Sequence, residues 1–196
     1  MSPSCSSASP DPVAASRVSD LHRTAFVTGA STGLGRAFAE MLLADGVRVW
    51  GTSRETARLD DLAMAHGAAF TPVALDLRDG AAAEKIFAHE AARAGDGGFD
   101  LVINNAGYGV FGAFAETDFD VWREQLEVML VNTARLSHAA LRPMLARRRG
   151  ALVNISSLAA EFPLPFQSAY NIAKAGLTAL NESLIIETAD TGVVIL

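Results

Sequence analysis

Short apolar segments alternate with longer amphipathic segments from Thr24 to the last residue of the chain. The apolar segments are continuous runs rich in Val, Ile and Leu, which is typical of strands buried on both faces. The longer segments carry apolar residues at helical spacing. A repeated order of strand and helix predicts a parallel sheet that is covered by helices on both sides.

The boundaries of these elements follow from the same pattern. The predicted strands are TAFVTG (24–29), VRVWGT (47–52), FTPVALD (70–76), FDLVINN (99–105), ALVNISS (151–157) and the beginning of a sixth at VVIL (193–196). The predicted helices cover residues 34–44, 55–65, 79–94, 117–149 (one long helix or two joined ones) and 168–190. Gly46 and Gly150 are each expected to end the helix before them.

Composition narrows the functional classes. The 196 residues, half of them apolar, predict one domain with one sizeable core. A net charge of −6 argues against nucleic acid as the main partner, because phosphate binding needs a basic surface. No segment has the ~20 mostly apolar residues of a membrane span. The single cysteine, Cys5, allows no intramolecular disulfide, so a reducing, cytoplasmic location is expected.

The N-terminal residues 1–22 are rich in Ser, Pro and Ala. They lack the charged start and apolar core of a secretory signal. We interpret them as a disordered tail, with a cleaved organelle-targeting peptide as the weaker alternative.

A glycine-rich turn joins the first predicted strand to the first helix, in the sequence TGASTGLG at 28–35. Gly29, Gly33 and Gly35 allow a tight turn and a close approach of a pyrophosphate to the helix N-terminus. The spacing differs from the usual GxGxxG fingerprint, and a plain strand–helix turn is the alternative. Its place after the first strand favours a dinucleotide site.

The end of the second strand bears on the choice of nucleotide. NAD sites carry an acidic residue there for the ribose 2′-hydroxyl, whereas NADP sites have an arginine nearby for the 2′-phosphate. This chain has Ser53 and Arg54, and the arginine can bind a phosphate in bidentate fashion. Glu55 is an acidic residue that would favour NAD instead, but an acid in the first turn of a helix also has a purely structural explanation, because it interacts favourably with the helix dipole. NADP(H) is therefore predicted, with NAD(H) as the alternative.

Tyr170 and Lys174 form the sequence YNIAK and share one face of the last predicted helix. A nearby ammonium favours the phenolate form of the tyrosine, which suits it for proton transfer near neutral pH. The alternative is a chance pair on the surface, but the chain has only two tyrosines and two lysines. The pair predicts an oxidoreductase in which Tyr170 exchanges a proton with a carbonyl or alcohol.

Polar residues also follow the later strands, where ligands bind in open α/β sheets. Ser157 ends the predicted fifth strand, and its hydroxyl could orient a substrate oxygen. Ser156 competes for this role, but alternation along a strand puts the two on opposite faces, so only one can serve.

Asparagines mark two further positions. Asn104 and Asn105, followed by Ala106 and Gly107, could fix the end of the fourth strand and leave room for a cofactor, or could form a simple turn. Asn132 lies inside the long helix, where asparagine is not favoured. It is either solvated or faces the site.

Together these motifs resemble those of the short-chain dehydrogenases/reductases. The resemblance covers Thr24 to Leu196 and rests on TGASTGLG at 28–35, NNAG at 104–107, ISS at 155–157 and YNIAK at 170–174, in the family's order. It implies a Rossmann-like, doubly wound parallel sheet in three layers over residues 23–196. It also implies an NADP(H)-dependent enzyme acting on CH–OH or C=O groups.

The resemblance implies roles for individual residues. In the implied tetrad, Tyr170 is the acid/base, Ser157 steadies the carbonyl, Lys174 also binds the nicotinamide ribose, and Asn132 holds a water in a proton relay. Asp76 matches a position that contacts the adenine. The implied cofactor-binding residues are Gly29, Ser31, Thr32, Gly33, Leu34, Gly35, Ser53, Arg54, Asp76, Leu77, Asn105, Ala106, Gly107, Tyr170 and Lys174.

Family members usually continue beyond the point that matches VVIL, through a full sixth strand, a Pro-Gly turn, a lid and a seventh strand. The chain is therefore expected to be a C-terminally truncated member, with the last strands missing or incomplete. Two alternatives to an enzyme are a nucleotide-binding protein without turnover and an interaction protein that uses the helix around residues 129–145. The resemblance suggests a homodimer or homotetramer through the helices of Asn132 and Tyr170.

Apolar residues predict the substrate class. Those near Ser157 and after the fourth strand could line an apolar pocket, or could simply pack the core. They are Phe162, Leu164, Phe166, Tyr108, Val110 and Phe111. An apolar ketone, aldehyde or secondary alcohol is the predicted substrate, with reduction as the direction and no metal ligand assigned.

Overall fold

A computed structural model describes residues 17–95 and 97–196. Six parallel strands form one sheet in the order β3-β2-β1-β4-β5-β6. They are β1 Thr24–Val27, β2 Arg48–Ser53, β3 Phe70–Ala74, β4 Leu101–Asn104, β5 Gly150–Asn154 and β6 Val193–Ile195. The strand order reverses where β4 pairs with β1, and open α/β sheets bind ligands at such a switch point. The predicted doubly wound parallel sheet is confirmed.

Helices connect successive strands. α1 Val18–Leu21 precedes β1, and the connecting helices are α2 Gly33–Ala44, α3 Asp60–His66, α4 Gly80–Ala94, α5 Phe119–Leu126, α6 Asn132–Ala146 and α7 Ser168–Glu187. A π-helical segment, Glu127–Val131, joins α5 directly to α6, so the predicted stretch is two joined helices. Helical segments with π geometry are rare and are frequent at functional sites.

The core lies on both faces of the sheet, because neighbouring strand residues point in opposite directions. Phe26 of β1 belongs to one cluster, in which Phe87 and Phe99 lie 5.0 and 5.1 Å from its ring centre. Ala25 and Val27 belong to the cluster on the other face. All four residues of β1 are buried, as the continuous apolar run predicts.

Two predictions at the ends of elements are wrong. β5 ends at Asn154, so Ser157 lies beyond the strand instead of at its end. Gly150 begins β5 and does not end α6. The left-handed residue that follows α6 is Arg148, with φ of 53°. The Arg148 side chain donates a hydrogen bond of 2.7 Å to the Asp190 carbonyl. Gly46, with φ of 87°, follows α2 as predicted.

The second predicted helix and the predicted tail also differ. Residues 56–59 form a 3₁₀ turn before α3 begins at Asp60. A disordered tail is the wrong description for residues 17–22, because α1 is docked there by Asp45, whose carboxylate accepts the backbone N–H groups of Val18 and Ser19. The rest of the predicted tail lies outside the described residues. Among residues 17–95 and 97–196, no helix combines the length and apolar character that crossing a bilayer requires.

Candidate active site

A cavity of about 610 Å³ lies beyond the carboxyl ends of β1 to β4. The residues predicted to bind the cofactor that line it are Gly29, Ser31, Thr32, Gly33, Leu34, Ser53, Arg54, Asp76, Leu77, Asn105, Ala106 and Gly107. Three predicted residues, Gly35, Tyr170 and Lys174, are not part of this lining. The cavity residues that were not predicted to bind the cofactor are Thr52, Glu55, Arg58, Leu75, Arg78, Tyr108, Glu124 and Val128.

The glycine turn forms one wall of the cavity and opens the N-terminus of α2 towards it. Gly29 has φ of 69° and Gly33 has φ of 57°, a backbone region that favours glycine. Gly35 has a different reason to be glycine: a Cβ built there would overlap the Gly29 carbonyl and the Asn105 amide. Gly35 therefore shapes the turn by packing, and the N–H groups of the first turn of α2 can face an anion.

A hydrogen-bond network holds the ends of β1 and β4 together. The Thr28 hydroxyl accepts the N–H groups of Asn105 and Ala106 at 2.9 and 3.0 Å. The Asn105 amide donates back to the Thr28 carbonyl at 3.0 Å. The Asn104 amide donates to the Asn154 side chain at 2.8 Å, which ties β4 to β5. The interpretation that these asparagines fix the sheet end is confirmed.

Basic side chains surround one end of the cavity. Arg54 and Arg58 line it near the end of β2, and Arg78 lines it after β3. Arg78 is paired with Asp76 at 2.5 Å, and this guanidinium holds the pKa of the Asp76 carboxyl below its usual value. Arg58 belongs to the 3₁₀ turn 56–59, which packs against β2 and β3, and no local sequence pattern indicated its place in the cavity.

Tyr108 and Glu124 form a second polar pair on the lining. The Tyr108 hydroxyl donates a hydrogen bond of 2.6 Å to Glu124. Burial, together with this bond, raises the pKa of Tyr108 to about 12, so the phenol stays neutral near pH 7. The pair attaches the segment after β4 to α5.

Tyr170 and Lys174 lie together on α7, as their spacing predicts. The Lys174 nitrogen is 5.7 Å from the centre of the Tyr170 ring and donates a hydrogen bond of 2.6 Å to the Ile155 carbonyl. Lys174 is only 5% exposed, and this burial lowers the pKa of its ammonium. The structure therefore places a desolvated cation beside the phenol.

The two serines after β5 have different partners. The Ser156 hydroxyl bonds to Thr178 at 2.7 Å and donates to the Lys174 carbonyl, so it is used in holding α7. The Ser157 hydroxyl accepts the Ala159 N–H at 3.2 Å at the start of a 3₁₀ turn that packs against α7. Ser157 keeps its O–H for another acceptor, which makes it the better candidate of the two.

Asn132 lies at the first position of α6 and is 4% exposed, so the solvated alternative is wrong. Its amide donates a hydrogen bond of 2.7 Å to the Leu77 carbonyl, and its oxygen lies 3.4 Å from the Arg135 guanidinium. In the described part of the chain, no hydrogen bond joins its side chain to Ser157, Tyr170 or Lys174. The structure thus brings Tyr170 and Lys174 together and directs the Asn132 side chain elsewhere.

Two loops with exposed apolar side chains border Tyr170. Phe111 and Phe162 are each 72% exposed, so the alternative that these residues pack the core is wrong for them. The loops are joined by a hydrogen bond of 3.0 Å from the Gly112 N–H to the Phe166 carbonyl. A Cβ built at Gly109 would lie 3.7 Å from Cδ2 of the Tyr170 ring, so the first loop passes beside that ring.

Comparisons with known proteins agree with this geometry. A family model described as short chain dehydrogenase matches residues 23–196. A short chain dehydrogenase from Pseudocercospora fijiensis is 35% identical over 176 residues, which are 87% of this chain and 56% of the relative. The chain therefore spans little more than half the length of that relative.

Solved structures show the same fold. A short-chain dehydrogenase from Streptomyces avermitilis matches with a TM-score of 0.84 and 39% identity, over 88% of this chain and 63% of that one. A metagenomic short-chain oxidoreductase in complex with NADP matches with a TM-score of 0.82 and 33% identity, over 88% and 79% of the two chains. From its parallel sheet, its glycine turn and these matches, the chain belongs to the short-chain dehydrogenase/reductase family.

Proposed function

We propose that this protein is an NADP(H)-dependent oxidoreductase that interconverts a carbonyl and an alcohol, with Tyr170 as the general acid and base. The observation that carries the proposal is the buried Lys174 ammonium beside Tyr170. This pair lies next to a loop that also contributes Gly107 and Tyr108 to the cavity. A proton donor and a dinucleotide-sized cavity at one sheet end are what such chemistry needs.

The residues of the cavity fit a dinucleotide phosphate. The glycine turn and the N-terminus of α2 suit the pyrophosphate, since backbone N–H groups and the helix dipole favour an anion. Arg54 and Arg58 suit a 2′-phosphate, and Ser53 avoids the repulsion that a carboxylate would cause. Asp76 and Leu77 suit the adenine side. The similar metagenomic oxidoreductase binds NADP, which supports the same preference here.

When held in this cavity, NADPH would provide the hydride that reduces the carbonyl carbon. The Tyr170 hydroxyl gives its proton to the carbonyl oxygen, so that the product is an alcohol and the phenolate remains on the protein. The Lys174 ammonium stabilises that phenolate. The Ser157 hydroxyl donates to the substrate oxygen and orients it. Oxidation of an alcohol uses the same groups in reverse.

Apolar ketones, aldehydes and secondary alcohols are the proposed substrates, because Phe111, Phe162 and Phe166 are exposed on the two loops that border Tyr170. A homodimer or homotetramer is proposed through α5–α6 and α7. Exposed Val131 and Ile172 on these helices favour association. A cytoplasmic location is also proposed.

The test combines binding and turnover. NADPH should raise the melting temperature of the chain more than NADH does at equal concentration. With a panel of apolar ketones, Tyr170→Phe should lower NADPH oxidation by about a hundredfold or more, because it removes the transferable proton. The variant should still bind NADPH, which serves as the folding control. If neither nucleotide raises the melting temperature, the proposal is wrong, and binding without turnover in the parent favours the nucleotide-binding alternative.

A further inference from the structure

The Asn132 side chain forms a hydrogen bond with the segment between β3 and α4. Its amide nitrogen lies 2.7 Å from the Leu77 carbonyl oxygen. Its own oxygen packs against Gly80, where an added Cβ would overlap it. Arg135 lies on the same side at 3.4 Å and reaches on to Glu84 of α4 at 3.1 Å. The side chain is therefore fixed by contacts with the start of α4 and with the residues just before it.

The segment that Asn132 contacts is a wall of the cavity. Leu75, Asp76, Leu77 and Arg78 all line it, between the end of β3 and the start of α4. The Leu75 N–H is bonded to the Ser53 carbonyl at 2.9 Å, which holds the beginning of this segment to β2. The Leu77 carbonyl bond to Asn132 holds its middle. Without that bond, the middle of the wall depends on short-range bonds within the segment itself.

The Asn132 bonds also limit what the side chain can do for proton transfer. Its oxygen and one amide hydrogen are engaged on the side of α4. The Lys174 ammonium has a separate partner, the Ile155 carbonyl, at 2.6 Å. In the described residues, the hydrogen bonds of these two side chains share no common group.

We propose that Asn132 is a positioning residue for the adenine side of the nucleotide cavity, acting through Leu77, and that its side chain is not part of the proton relay. This proposal rests on the proposed function for the identity of the nucleotide. The position of the wall itself does not depend on that function. Residues 75–78 keep their place because the buried side-chain amide of Asn132 on α6 donates a hydrogen bond to the Leu77 carbonyl.

The experiment compares Asn132→Ala and Asn132→Asp with Thr133→Val in the 196-residue chain. Thr133 is the next residue of α6, is 3% exposed, and donates its hydroxyl to the Val128 carbonyl within the helical stretch. Thr133→Val therefore removes a buried hydrogen bond from the same helix, to the carbonyl of Val128 on another side of the cavity, and leaves the contacts of residues 75–78 intact. Asn132→Asp keeps the side-chain volume and replaces the donor by an acceptor, so it remains informative if Asn132→Ala fails to fold.

Two measurements report on the stability of the wall segment and on the affinity for the nucleotide. Backbone hydrogen exchange of residues 75–80, without any cofactor, should quicken by roughly three- to tenfold in both Asn132 variants, the effect of losing one buried hydrogen bond. The Kd for NADPH should rise by a similar factor. Thr133→Val should leave both quantities within about twofold of the parent.

Turnover separates positioning from a role in proton transfer. At saturating NADPH, kcat of Asn132→Ala should stay within about twofold of the parent and its pH profile should not move, while the KM for NADPH rises. Unchanged exchange at residues 75–80, or a kcat loss of about thirtyfold with a displaced pH profile, would overturn the proposal. Should the parent fail to bind NADPH, the proposed function falls, and the exchange measurement still decides whether Asn132 holds the wall.

Discussion

The Lys174 ammonium faces the Tyr170 ring, with 5.7 Å between its nitrogen and the ring centre, and donates a hydrogen bond to the Ile155 carbonyl. Because Ile155 directly follows β5, the end of that strand fixes the position of the cation. Burial lowers the pKa of Lys174, because removing the ammonium from water disfavours its charged form. A costly buried charge beside a phenol is typical of a functional site.

Lys174→Met should abolish most of the activity without unfolding the protein. The variant keeps an apolar side chain of similar length in the buried site and removes the desolvation cost, while one hydrogen bond is lost. We expect turnover to fall by about a hundredfold or more, and the free energy of unfolding at pH 7 to stay within about 1 kcal/mol. Steady-state assays and urea denaturation measure the two quantities.

Lys85→Met is the matched control, because Lys85 is the chain's other lysine and is exposed on α4. It should leave both turnover and stability nearly unchanged. Equal turnover in Lys174→Met and the parent would contradict the role of the ammonium.

Arg54 and Arg58 should determine the preference for NADPH over NADH. Each arginine replaced by alanine removes a charged donor from the basic end of the cavity, so the loss should concern only the nucleotide with the 2′-phosphate. We expect Arg54→Ala to weaken NADPH binding by about tenfold or more and to leave NADH binding within about twofold. Fluorescence titration of both nucleotides measures this, with Arg93→Ala on α4, outside the cavity lining, as the control. Parallel losses for NADH and NADPH would contradict phosphate recognition.

Gly109→Val should block substrate access while sparing the nucleotide. The added side chain would begin 3.7 Å from the Tyr170 ring and 3.9 Å from the Gln167 oxygen, where the loop passes beside that ring. We expect the KM for ketones to rise about tenfold or more, and NADPH affinity to change by less than about twofold, because Gly109 is outside the cavity lining. Initial rates over a series of ketone sizes test this, and the largest ketones should be affected most.

The half-buried His22 should make stability depend on pH below neutrality. Burial lowers the pKa of His22 below the usual histidine value of 6.5, against an opposing effect of Asp100. Between the lowered pKa and 6.5, the unfolded chain binds more protons than the folded one, so stability rises with pH across this window and falls as the pH decreases. Urea denaturation of the parent from pH 7 to pH 5 should show this decrease, and His22→Gln should show a smaller one. Identical pH dependence of the two proteins would show that His22 does not titrate in this way.

Local patterns predicted much of this protein. Continuous apolar runs identified six strands, because a strand between two helical layers must be apolar on both faces. The glycines of residues 28–35 and the spacing of Tyr170 and Lys174 were equally readable, since backbone freedom and helical periodicity act over only a few residues.

Contacts between distant segments needed the fold. Arg58 and Arg78 are far apart in sequence from the glycine turn, and only the parallel arrangement of β1, β2 and β3 brings them to one cavity. The exposure of Phe162 likewise depends on which surfaces the helices leave uncovered.

The sequence by itself determined the alternating sheet, the nucleotide turn and the Tyr170–Lys174 pair, because each depends on residues close together in the chain. Only the tertiary structure decided where the Asn132 side chain points. The π-helical segment before Asn132 takes more residues per turn than an α-helix, so the residues of α6 do not continue the helical register of α5. The Asn132 amide bonds to the Leu77 carbonyl, a contact between residues 55 positions apart that no local pattern encodes.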